Sequence, residues 1–131
     1  MTIFVDASAL VAMVRREADA RILGEALARE HVRITSAVAL WESIRAVAKP
    51  SGDMRAAQAD VEELRVALDI RLVLIGPEEA TQAAHAHARY GKGTGHPARL
   101  NMGDCFAYAC AKTNGAKLLY KGDDFARTDL A

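Results

Sequence analysis

Short β-prone apolar runs alternate along this chain with longer stretches whose apolar residues recur at three-and-four spacing. Thr2–Ile3–Phe4–Val5 is the first such run and predicts a strand, which Asp6 ends. Ala7 to Arg16 follows as a helix with Leu10, Val11 and Val14 on one side. Glu17 to Arg29 reads as a second helix, with Ile22, Leu23, Ala26 and Leu27 inward. Val32–Arg33–Ile34–Thr35 predicts the next strand, and Ser36 caps a helix whose core face is Ala37, Trp41, Ile44 and Ala48. Lys49–Pro50–Ser51–Gly52 is a break, and Asp53 caps a helix in which Ala57, Val61, Leu64 and Leu68 form a stripe suited to a core or a subunit contact.

The second half repeats the alternation. Arg71–Leu72–Val73–Leu74–Ile75 predicts a third strand closed by Gly76–Pro77, and Glu78 to Tyr90 an alanine-rich helix. Asn101 opens a helix that Asn114–Gly115 stops. Met102, Cys105, Phe106, Ala109 and Cys110 form one apolar stripe on it, and the other side carries only Asp104, Ala107, Tyr108 and Ala111. A helix that is apolar nearly all round is a buried one. Lys117–Leu118–Leu119–Tyr120 predicts a fourth strand, and Thr128–Asp129–Leu130–Ala131 is a short candidate for a fifth. Strands alternating with helices imply a parallel sheet with helices on both faces.

Composition narrows the class. The 131 residues suit one domain with its own core, and 51% apolar with 26% charged residues is the balance of a globular chain. A formal charge of zero argues against a protein that coats nucleic acid without specificity, but leaves room for a local basic patch. No stretch reaches the roughly 20 apolar residues of a membrane span, and no basic-then-apolar signal opens the chain, so a cytoplasmic protein is expected. Cys105 and Cys110, in no Cys-x-x-Cys spacing, read as reduced core residues.

The acids are the candidate chemistry. Asp104 is the only charge between Leu100 and Lys112, and a lone buried carboxylate costs several kcal/mol unless donors or a cation satisfy it. It also stands three residues after Asn101, so a capping box is an equally good account. Asp6 falls where the first strand hands over to a helix, at the carboxyl edge where open α/β sheets place ligands, or else it caps that helix in competition with Ser8. Asp123 and Asp124 follow the fourth strand. Glu42, one turn into the helix after the second strand, reaches the same edge, although a surface ion pair with Arg45 would also explain it. Carboxylates held together raise one another's pKa unless a cation neutralises them, and oxygen-only ligands suit Mg²⁺ or Mn²⁺. Such a site activates water for attack on phosphorus, which points to phosphodiester hydrolysis.

Other polar features carry less. His85 and His87 are two apart and point in different directions, unlike a metal pair at i, i+4. Gly91–Lys92–Gly93–Thr94–Gly95–His96–Pro97–Ala98–Arg99 lacks P-loop spacing and no strand precedes it. Its Lys92, His96 and Arg99 are either a solvated linker or a grip on an RNA phosphate backbone beside the acids.

Taken together, Phe4–Val5–Asp6–Ala7–Ser8–Ala9–Leu10–Val11–Ala12 resembles the opening motif of PIN-domain nucleases. Tyr90–Gly91–Lys92–Gly93, the segment Leu100 to Ala109, and Lys121–Gly122–Asp123–Asp124–Phe125 resemble the VapC toxins of bacterial toxin–antitoxin pairs, so the similarity spans nearly the full length. The resemblance implies one PIN domain over residues 1–131, with a three-layer α/β fold and a four- to five-stranded parallel sheet flanked by helices on both faces. It implies a Mg²⁺-dependent endoribonuclease, with Mn²⁺ able to substitute, that cuts cellular RNA until a VapB-type antitoxin binds it. A homodimer is implied as well, extending to higher-order complexes with the antitoxin. Carried onto this chain, Asp6 and Asp104 are the metal ligands, Glu42 completes the site or orients water, Ser8 supports the cluster, and Asp123 is the fourth acid. Alignment on Phe125 rather than Gly122 would make that fourth acid Asp124.

Two rival enzyme classes fit poorly. A haloacid-dehalogenase-type phosphatase needs an Asp where Ser8 stands, and a receiver domain needs an acid where Val5 stands. The stronger rival is a non-catalytic PIN-like module whose acids bind metal or a basic partner peptide.

Overall fold

The computed structural model describes residues 1–131. Its strands are β1 (Thr2–Val5), β2 (Val32–Ser36), β3 (Ile70–Val73) and β4 (Lys117–Leu119), all parallel, in the order β3-β2-β1-β4. Between them run α1 (Ala7–Val14), α2 (Ala20–Ala28), α3 (Ala37–Ala48), α4 (Met54–Ala67), α5 (Pro77–Tyr90) and α6 (Met102–Thr113).

The pleat of β1 explains the three layers. Ile3 and Val5 point into a core built with Leu10, Leu23, Leu27, Leu40 and Val61 from α1 to α4. Phe4 points the other way, against Tyr90, Leu100, Cys105, Ala109 and Phe125 from the α5–α6 side. Residues alternating across one central strand thus define two apolar faces, and each needs its own helical layer. α6 is buried along almost its whole length, from Gly103 to Ala111, with Phe106 partly exposed.

The strands end together at one edge. Thr35 Oγ1 donates to the Val5 carbonyl at 2.8 Å, and the Asp6 N–H donates to the Leu119 carbonyl at 2.9 Å. Ser36 closes β2 and at once caps α3 by accepting from the Ala39 N–H at 3.2 Å. This edge is where the acids collect.

The structure departs from the sequence pattern at several positions. α3 lies at the corner between the two cores, with Ala39 in one and Leu40 in the other, so its buried face is Ala39, Leu40, Ser43 and Ala48. Trp41 is therefore not core but 54% exposed, and Ala37 is exposed too. Ile22 is likewise outside, because α2 covers the sheet edge with Leu23 and Leu27 alone fully buried. The third strand starts one residue early, at Ile70, and stops at Val73; as an edge strand it leaves Leu74 in solvent. The sheet has four strands and no fifth. The tail is held by side chains instead: Asp129 accepts from the Tyr108 hydroxyl at 2.6 Å and from Lys112 Nζ at 2.6 Å, and Thr128 Oγ1 donates to the Phe125 carbonyl at 2.8 Å. No helix is long and apolar enough to cross a membrane.

Candidate active site

Asp6 is the N-cap of α1 and is 5% exposed. Ser8 does not compete with it but serves it: the Ser8 N–H and Oγ–H both donate to Asp6 Oδ2, at 3.0 and 2.6 Å. Ser8 Oγ in turn accepts the Lys121 N–H at 3.0 Å, which ties the end of β1 to the turn after β4. Lys121 Nζ pairs with Glu17 at 2.8 Å and Asp19 at 3.3 Å, holding that turn against the α1–α2 connection. Burial raises the Asp6 carboxyl above its ordinary range, the Ser8 hydrogen bonds oppose this, and the charge of Asp124 adds to the rise.

Asp104 is the third residue of α6 and does close a capping box. Asn101 Oδ1 accepts from the Asp104 N–H at 2.9 Å, and Asp104 Oδ2 accepts from the Asn101 N–H at 3.1 Å. The cap satisfies one oxygen only. Burial, with the charges of Asp6, Asp124 and Glu42, still pushes this carboxyl up to about 7, against the pull of the Asn101 N–H.

Glu42 comes from α3 and lies over Gly103 in the first turn of α6, so close that a Cβ at that position would overlap its carboxylate. Desolvation raises its pKa first and the charge of Asp6 second, and no hydrogen bond offsets either. It does not pair with Arg45, which lies over the Trp41 ring instead, 5.5 Å from its centroid. Asp123 and Asp124 are both exposed on the turn after β4 and line one cleft with Asp104. Asp124 is the one whose charge weighs on both Asp6 and Asp104, so the alignment on Phe125 describes the electrostatics better than the alignment on Gly122.

The same cleft is walled by Lys92, Arg99 and Arg127. Arg99 is held at φ 50°, a left-handed backbone that costs a non-glycine residue of the order of 1 kcal/mol and recurs at functional sites. His96 does not join them. Its Nδ1 accepts the Ala98 N–H at 3.0 Å and its ring meets Tyr90 edge-on at 4.9 Å, so it shapes the loop from inside. Sequence reasoning missed Arg127; the signal available was a lone base three residues after Asp124 in a polar turn. His85 and His87 are exposed on α5, and neither lines the cleft that holds Asp104, Asp123 and Asp124.

Whether these residues suit a divalent cation can be judged from their chemistry. The donors are oxygens only, they repel one another, and Glu42 has no hydrogen-bond donor of its own. No three side chains stand in ligand geometry around a common point. That spacing still fits Mg²⁺, which keeps several waters and binds through one or two carboxylates plus substrate phosphate rather than a closed protein cage.

The fold and this edge of acids define the class. A family model described as "PIN domain" matches residues 3–130. Ribonuclease VapC30 of Mycobacterium tuberculosis strain H37Rv is 39% identical over 127 residues, covering 97% of this chain and 95% of that one. Ribonuclease VapC of Mycolicibacterium smegmatis is 39% identical at 97% and 96% coverage, and VapC ribonuclease R02377 of Rhizobium meliloti 37% identical at 97% and 98%. The chain belongs to the VapC ribonucleases within the PIN domain family. Its fold matches the crystal structure of Mycobacterium tuberculosis VapC20, a sarcin–ricin loop cleaving toxin, with a TM-score of 0.73 at 21% identity over 95% of this chain and 92% of that one.

Proposed function

We propose that this protein is a Mg²⁺-dependent endoribonuclease toxin, with Mn²⁺ able to substitute, that hydrolyses phosphodiester bonds in structured cellular RNA. A VapB-type antitoxin protein holds it in check, and the toxin works in the cytoplasm as a homodimer that the antitoxin draws into larger complexes. The supporting observation is that burial, with the charges of the neighbouring acids added to it, raises the pKa of Asp6, Glu42 and Asp104 at one end of the sheet, a penalty that a divalent cation would relieve.

Asp6 and Asp104 are the side chains that would hold the cation, and Asp124 completes the charge around them. Such a cation lowers the pKa of bound water and neutralises charge developing on the phosphate oxygens. Ser8 opposes the rise that burial causes in the pKa of Asp6 and fixes its rotamer. Glu42, raised in pKa and free of hydrogen bonds, orients the attacking water and accepts its proton. Lys92, Arg99 and Arg127, which line one cleft with Asp104, Asp123 and Asp124, hold the phosphate backbone.

The deciding experiment incubates purified protein, free of partner, with total RNA in Mg²⁺ and in chelator. Discrete cleavage that chelator stops and Asp104→Asn removes is the expected result. Equal cutting with and without chelator would overturn the metal assignment.

A further inference from the structure

Trp41 is the largest of the residues that the sequence placed in the core and the structure places outside. It stands next to Glu42 on α3, and its exposed ring carries the Arg45 guanidinium 5.5 Å from its centroid. Trp41, Arg45 and Lys49 follow one another at i, i+4 and i+8, a single stripe about 12 Å long by helix rise. They line a groove of their own with Met54, and Glu42 forms its end nearest the acids. Glu42 is the only acid in that groove, and Arg45 and Lys49 are unpaired with any carboxylate.

Three features of this stripe select one occupant. The charge is positive beyond Glu42, so the occupant is anionic. An indole half in solvent is a stacking platform, and a guanidinium over it strengthens that role by cation–π contact. The groove also meets the acid cluster at Glu42, and it shares no lining residue with the cleft of Lys92, Arg99 and Arg127. A backbone phosphate held by bases together with a flat apolar group is the chemistry of a single-stranded nucleotide.

We propose that the Trp41–Arg45–Lys49 face of α3 is a single-strand RNA track, in which a base flanking the cut stacks on Trp41 and its phosphates meet Arg45 and Lys49. This rests on the ribonuclease reading and deepens it. RNA then passes from a purely electrostatic grip in that cleft to a stacked base in this groove, and Trp41 selects unpaired substrate there.

Trp41 is the only tryptophan in the chain, so its emission reports the contact directly. The protein, in chelator so that nothing is cut, is titrated with a single-stranded oligoadenylate and separately with polyphosphate, which has the charge without the bases. Saturable quenching by oligoadenylate but not by polyphosphate is expected. Trp41→Ala should bind oligoadenylate about ten-fold more weakly by anisotropy, with Trp41→Phe retaining most of the affinity. Wild-type cleavage of RNA in Mg²⁺ is measured alongside. If the wild type cuts RNA but Trp41 emission ignores oligoadenylate, or Trp41→Ala binds it equally well, the track is refuted and the ribonuclease reading stands. Emission that shifts with protein concentration in the absence of RNA, and not with oligoadenylate, would make the groove a protein contact and refute the track too. A wild type that neither binds nor cuts RNA removes both.

Discussion

Glu42 lays its carboxylate over the backbone of Gly103, so that a methyl group at Gly103 would overlap Glu42 Oε2. Two distant segments, mid-α3 and the first turn of α6, are in this way fitted to each other through an acid and the absence of a side chain. The atoms in the way are the far end of a flexible side chain, which can move aside. Gly103→Ala should therefore fold well, even gaining about 0.5–1 kcal/mol from the helical preference of Ala over Gly. Glu42 would be displaced, and RNA cleavage should fall about ten- to a hundred-fold. A thermal melt beside a cleavage assay checks the split; loss of both together would mean that Gly103 is needed for packing alone.

Asp104 makes the protein less stable as pH rises. Its folded pKa, about 7, lies above the ordinary 3.8, so between those values the native state holds a proton that the unfolded chain has lost. Stability then falls with rising pH across that window. Asp104→Asn, which keeps an oxygen for the Asn101 N–H, should raise stability by about 1–2 kcal/mol at pH 8, allowing for water reaching the carboxylate, and by much less at pH 5. Melts at the two pH values check this. Destabilisation at both would leave capping as the whole role of the residue.

Mg²⁺ should stabilise the wild type, and more so above pH 7 than below, since a protonated Asp104 cannot bind it. At a concentration a hundred times its dissociation constant the gain is about 2.7 kcal/mol. The melt of Asp104→Asn should hardly respond. A wild-type melt indifferent to Mg²⁺ at pH 8 would count against the site.

Ser8→Ala removes the Oγ–H donor to Asp6 and strands the Lys121 N–H. Stability should drop by about 1–3 kcal/mol for the unpaired amide. Because the Ser8 bonds lower the pKa of Asp6, their loss raises it, and the acid limb of the pH–rate profile should move to higher pH. A profile unchanged in position would show that Ser8 acts only on the fold.

Asp124→Asn should lower the pKa of Asp104 by removing a repelling charge, shifting the pH–rate profile to lower pH and reducing cleavage. Asp123→Asn should shift it less. The reverse order would return the fourth acid to Asp123.

The alternation of strands and helices was plain in the chain because the apolar period changes from element to element, and the buried α6 was plain because Asp104 is its only charge before Lys112 in the last turn. Asp6 was legible for a like reason: a carboxylate after an apolar strand leaves few options. Less visible were features that depend on neighbours. Trp41 and Ile22 sit at positions where periodicity suggests core, yet α3 and α2 meet the sheet at its corners, and only their smaller or more central residues are covered. His96 looked like a partner of Lys92 and Arg99 until its ring was seen turned onto Tyr90.

From the sequence alone came the α/β class, the parallel sheet and the acids to watch, since local spacing of apolar and charged residues encodes these directly. The tertiary structure alone decided that Asp124 bears on Asp6 and Asp104, that Glu42 rests on Gly103, that the tail forms no fifth strand, and that Trp41 faces solvent beside the acids. The physical reason is distance: electrostatic coupling and steric fit depend on how far apart folded segments lie, and no local pattern along the chain records that separation.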